Sequence, residues 1–259
     1  MLNKDPKYKE ICKEMLNEFS ISTLKDEETK RKEYCFFFPQ VGKNYFTAKT
    51  KILFAGRAQN IWGGGIFKPH DVKNKLNSII NDAINFSEPN EENECSMKWI
   101  VDCWYGTKGT EYEKCYPDMR LNKSQFWRVI KGVTNKVQGE KEIFTESIAW
   151  TQYYKIAPKD GGNPDRHSES TPQDDNYAYD LLEREIEILK PDYLIYFIGK
   201  NWMESCFDYP DDYILEKTEN KYVCGKLKIK DFATKCIIVD RPESKPLHPF
   251  IEEVCKTIK

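Results

Sequence analysis

The sequence predicts an α/β fold in three layers, with helices on both faces of a central, mainly parallel four-stranded sheet. Three observations carry that expectation. Four short apolar runs, at 52–55, 146–151, 193–199 and 235–239, have the length of buried strands. Helix-period stretches lie between them, and parallel neighbours need such long crossovers. The run YLIYFIG at 193–199 is almost wholly apolar, as strands are when both faces of a sheet are covered.

Taken in order, Tyr8, Ile11, Cys12, Met15, Leu16 and Phe19 recur at helical spacing, and the charged stretch 23–33 after them is a solvated connection. The first strand, 52–55, runs into a polar cluster and three consecutive glycines, KILFAGRAQNIWGGG at 51–65. Val72, Leu76, Ile79, Ile80 and Ala83 mark a second amphipathic helix, followed by the polar loop 87–94. Residues 99–120 mix Trp104, Tyr105, Tyr112 and Tyr116 with glycines and charges, show no period and are expected to be irregular. Ser124 is placed to cap a helix whose Phe126, Val129, Ile130, Val133 and Val137 face the core. The strand at 146–151 leads into a shaped loop over 155–170, dense in Pro158, Gly161, Gly162, Asn163 and Pro164. Thr171, Pro172 and Asp174 combine a capping oxygen, a first-turn proline and an acid near the positive end of the helix dipole. Ala178, Leu181, Leu182, Ile186 and Leu189 give that helix its buried stripe, and Lys190-Pro191 stops it before the strand at 193–199. The strand at 235–239 precedes a last helix carrying Phe250, Ile251, Val254, Cys255 and Ile258.

At 259 residues the chain is expected to form one domain, 1–259, with 1–50 as a helical extension packed on it. Forty Lys and Arg against 42 Asp and Glu leave a net charge of −2, so any nucleic-acid partner must be held by a local patch rather than a global field. The nine cysteines are an odd number, in a chain without an apolar signal segment, and read as reduced thiols of a cytoplasmic protein. Cys95, Cys103 and Cys115 lack C-x-x-C spacing and are joined by sequence proximity alone; no metal and no cofactor is expected. No run approaches the ~20 apolar residues of a membrane span. A monomer without a membrane partner is expected.

Parallel sheets bind ligands beyond the carboxyl ends of their strands, where strand order reverses. Those ends lie at 56–65, 152–164, 199–202 and 240–245, and there the chain resembles the uracil-DNA glycosylase-like superfamily. The resemblance runs from about residue 51 to the C-terminus and lies in order and spacing more than in identities. GRAQ at 56–59 sits where the iron–sulfur branch has Gly-Glu-Ala-Pro-Gly after its first strand. FWRVI at 126–130 is similar to a Phe-Trp segment before the second strand of some members. WTQYYKIAP at 150–158 looks like their Thr-Asn-Val-Val-Lys-x-x-Pro, followed by an Asn-x-x-Pro-like loop and a helix ending in ILKP. VDRPES at 239–244 occupies the place of the His-Pro-Ser element.

The resemblance implies a protein that hydrolyses the N-glycosidic bond of a deaminated base, with damaged or single-stranded DNA as partner. That reaction develops an oxocarbenium-like sugar and a departing base anion, and the base must first leave the stack for a pocket of ring and amide edges. Carried over position by position, Gly56, Arg57 and Ala58 line the base, Gln59 and Asn60 orient water in place of the family's acid or asparagine, and Gln152 reads the base edge. Arg241 stands where the family has its histidine, a permanent cation beside the leaving anion. Trp62 and Phe67 stack, Asn163 belongs to the following loop, and Lys155, with Lys159 and Arg166, meets phosphates.

Each position has a plainer alternative. Gly63, Gly64 and Gly65 form either a backbone approach to phosphate or a flexible loop. Trp62 and Phe67 pack under the loop, Gln152 makes a structural hydrogen bond, and Asp240, Arg241 and Glu243 form a surface salt-bridge cluster. His70, His167 and His248 share no spacing. At the level of function the alternatives are a catalytically silent binder of a nucleotide, nucleic acid or protein on the same fold, and a small-molecule hydrolase or transferase on a doubly wound sheet.

Overall fold

The structure is a computed structural model that describes residues 2–58, 63–87, 97–110, 113, 118–140, 143–161, 175–199, 213–217, 221–229 and 232–258. Along the chain its helices are α1 (Pro6–Thr23), α2 (Val72–Ser87), α3 (Lys98–Asp102), α4 (Gln125–Gln138), α5 (Asp175–Leu189) and α6 (Leu247–Ile258). Its strands are β1 (Tyr34–Phe36), β2 (Gln40–Val41), β3 (Ile52–Ala58), β4 (Ile66–Phe67), β5 (Ile148–Tyr154), β6 (Ile156–Pro158), β7 (Tyr193–Phe197), β8 (Tyr213–Lys217), β9 (Val223–Ile229) and β10 (Lys235–Val239). These elements group into two compact units, the first from Met1–Pro39, Gly56–Glu88 and Thr151–Lys190, the second from Gln40–Ala55, Pro89–Trp150 and Pro191–Lys259.

The first unit is built on α1. Asp5 caps it by accepting from the Tyr8 backbone N–H at 2.7 Å, Pro6 opens its first turn, and the predicted stripe from Tyr8 to Phe19 is buried throughout. Arg184 of α5 reaches back to Asp5, its Nε 3.0 Å from Oδ1. A three-stranded antiparallel sheet, ordered β4-β1-β6, lies in the same unit, with Tyr34 opposite Phe67 and Cys35 opposite Ala157. Gly65 precedes β4 with φ of +57°, and a Cβ there would come 2.9 Å from the Cβ of Ala83 on α2. Only glycine tolerates both that backbone and that approach. Of the glycine run, then, Gly65 is a packing position.

The second unit holds α3, α4 and α6 and most of a larger sheet ordered β2-β5-β3-β7-β10-β9-β8. The last residues of β3 and β5 belong to the first unit. β7 and β10 pair in parallel, Ile237 opposite Ile195, whereas β9 pairs antiparallel with both β10 and β8, and β2 with β5. The sheet is thus mixed and mostly parallel in its core, and it has seven strands where the sequence predicts four. The additional strands are two-residue β2 and the β8–β9 hairpin, whose lysines and Gly225 interrupt the apolar run that marks a covered strand. Gly132 lets α4 close on α6, since a Cβ there would meet Ile251 Cδ1 at 2.3 Å. Trp99, Trp127 and Trp150 form an aromatic cluster, with the Trp99 indole N–H donating to Gln40 at 3.1 Å.

Candidate functional site

Four buried polar side chains of the first unit, Thr151, Gln152, Lys155 and Glu185, lie at or against the end of β5. Every residue of β5 is buried, so its polar members, Thr151 and Gln152, must be satisfied inside the protein. The Gln152 carboxamide lies against Gly56 of β3, close enough that a Cβ on Gly56 would stand 2.3 Å from Oε1. That oxygen is buried and has no hydrogen-bond partner among the described residues. Arg57 beside it is buried, and Ala58 is half-buried. Glycine at 56 is therefore what makes room for the amide, whose acceptor has no partner among the described residues.

Immediately after β5 the chain turns Lys155 into the core. Its ammonium donates to Thr151 Oγ1 at 2.6 Å and to the Gln152 carbonyl at 2.5 Å, pairs with Glu185 Oε1 of α5 at 2.6 Å, and lies 5.8 Å from the Phe37 ring centroid. Both side chains of the ion pair are fully buried. The Tyr8 hydroxyl of α1 donates to the same Oε1 at 2.7 Å, while Glu185 Oε2 is buried with no hydrogen-bond partner among the described residues. Desolvation pulls the Lys155 pKa below its ordinary value against the opposing attraction of Glu185, and desolvation, aided by the glutamate charge, raises Tyr8 well above the usual phenol range. Burial likewise raises the neighbouring Cys12 thiol, making it an inert core residue.

Two sequence-based assignments change here. Lys155 is not a loop lysine facing phosphate: its neighbours Tyr153, Tyr154, Ile156 and Ala157 are apolar and take it inward, where Glu185 neutralises it. Phe67 is not a stacking ring on a pocket wall; it is packed at 6.2 Å from Phe19 and 6.0 Å from Tyr34, in the core of the first unit. Lys159 is engaged by Glu33 at 2.7 Å. Gln59, Asn60, Trp62, Asn163 and Arg166 lie outside the described residues, as do His167, Cys95, Cys115 and the helix start at Thr171, Pro172 and Asp174.

Arg241 belongs to the second unit. It is exposed just after β10, its backbone N–H donating to Asp240 Oδ1 at 2.9 Å and its guanidinium pairing with Glu243 at 3.2 Å, while Lys245 pairs with Asp240. Sequence reasoning missed Glu185 and Tyr8, although both sit on helical stripes that are otherwise apolar. A carboxylate seven residues after Ala178 and one before Ile186 is on the buried face and must find a cation.

Among the described residues no group of three or more His, Cys, Asp or Glu side chains is arranged to hold a metal ion, and no helix is long and apolar enough to cross a membrane. No protein-family model matches the chain, and a search of curated proteins returns no match.

Proposed function

We propose that this chain is a DNA glycosylase-like protein that holds a deaminated base, extruded from damaged or single-stranded DNA, against the Gln152 carboxamide and cleaves its N-glycosidic bond. The observation that carries this reading is the amide seated on Gly56 with its oxygen unpartnered among the described residues. Deamination turns the ring nitrogen of the Watson–Crick edge from an acceptor into an N–H donor beside a carbonyl in uracil and hypoxanthine; in xanthine that N–H is already present in the parent guanine, and the exocyclic amino donor beside it becomes a carbonyl. A carboxamide, with one acceptor and two donors, matches that alternation when its orientation is fixed. In the hydrolysis, water adds to C1′ of the sugar, the bond from C1′ to the base nitrogen breaks, and the base departs as an anion that takes up the proton water releases. Gln59 and Asn60, which stand at the resemblance's water-orienting position, would orient the water.

One observation favours the silent-binder alternative: Arg241 is exposed and already paired with Glu243. Oligonucleotides carrying uracil, hypoxanthine or xanthine, incubated with the protein and then cleaved by alkali, separate the two. Abasic product that disappears in Gln152→Ala supports the glycosylase. Binding without product on any of the three bases moves the assignment to a silent binder, and neither binding nor product rejects the nucleobase site.

A further inference from the structure

We infer that Lys155, Glu185 and Tyr8 form a buried device that positions Gln152, and that the N-terminal helix is part of the site through Tyr8; this deepens the nucleobase reading above and rests on it. The lysine ammonium has three protons and reaches three acceptors: the Thr151 hydroxyl, the Gln152 carbonyl and the Glu185 carboxylate. Two of those three acceptors belong to Gln152, which carries the amide, and to its chain neighbour Thr151. The third ties that strand end to α5, and Tyr8 ties the same carboxylate oxygen to α1.

Stability alone does not account for this arrangement. A fully buried ion pair loses the hydration of both ions, and well-packed apolar residues of similar volume serve a core as well or better. What an apolar pair cannot do is hold a backbone carbonyl and a hydroxyl at fixed distance. The amide's place against Gly56 depends on that constraint, because the carbonyl and the hydroxyl belong to the strand end from which the Gln152 side chain leaves. Lys155 and Tyr8 are positioning residues in this scheme, neither touching the base.

The test separates positioning from packing. Lys155→Met and Glu185→Leu, made singly, each strand a buried charge, whereas the double variant removes both. The expected result is a melting temperature lowered in each single variant and largely regained in the double, while the Gln152 side-chain amide resonances, assigned by their loss in Gln152→Ala, shift or broaden in the double. Affinity for a uracil-containing single strand falls at least tenfold alongside. Should the double variant fail to fold, Tyr8→Phe, which deletes a single hydroxyl, is read by the same resonances and is expected to move them in the folded protein. A double variant, or Tyr8→Phe, whose Gln152 amide coincides with that of the parent protein overturns the proposal. Failure of the parent protein to bind any of the bases removes the nucleobase reading, and the amide resonances still decide whether the device positions Gln152.

Discussion

Lys155 with Glu185 and Arg241 with Glu243 are both cation–glutamate pairs, at 2.6 Å and 3.2 Å, yet the first is wholly enclosed in the first unit and the second half-exposed in the second. Water sets their difference. Around Arg241 the solvent screens both charges, and such pairs contribute about 0–1 kcal/mol. Around Lys155 both side chains are fully enclosed by protein, so the charges are committed to each other and to the strand end they hold. An exposed pair exchanges its partner for water at little cost; an enclosed one orders the residues around it.

Removing one member of each pair brings out the difference between them. Lys155→Met or Glu185→Leu should cost about 3–5 kcal/mol in urea unfolding, since an unpaired charge is left in the core. A loss below about 1 kcal/mol would mean water reaches the pair. Gly56→Ala adds a methyl against the Gln152 amide; the side chain can swing aside, so the expected cost is about 1–2 kcal/mol, with base binding lost as fully as in Gln152→Ala. Unchanged binding there would detach Gly56 from the site.

Asp5 lies between the two extremes, partly buried and engaged by Arg184 and the Tyr8 N–H, and the first of these does most to hold its carboxyl below the usual range. A carboxylate with a depressed folded pKa contributes stability in full above its unfolded value of about 3.9, and that contribution is lost as pH falls through the folded value. Asp5→Ala should therefore cost about 1 kcal/mol at neutral pH and make stability less sensitive to acid below about pH 4, measured by urea midpoints across that range. Arg241→Ala is the mildest change for the fold, within about 0.5 kcal/mol.

The elements legible in the sequence were those whose period one residue type enforces. α1, α5, α6, β7 and β10 follow unbroken apolar stripes or runs, and the Ser124 cap is found, its hydroxyl accepting from Trp127 N–H at 3.5 Å. Trp127 rather than Phe126 is the buried ring of that turn, a shift of one position that the stripe alone does not resolve. β1, β2, β4 and β6 are two or three residues long and form through partners distant in the chain, so no local pattern announces them. The candidate site divides in the same way. Gly56 and Gln152 follow from the order of strands and loops, but the fate of Lys155 depends on Glu185 thirty residues later and on Tyr8 near the N-terminus, contacts that only tertiary structure supplies.

The most direct test of the central claim is a titration with free uracil and with 3-methyluracil, followed at the Gln152 side-chain amide resonance. Uracil should shift that resonance saturably, and 3-methyluracil, which lacks the N3–H that the Gln152 oxygen would accept, should leave it in place. Equal shifts from both, or none from uracil, would contradict the account.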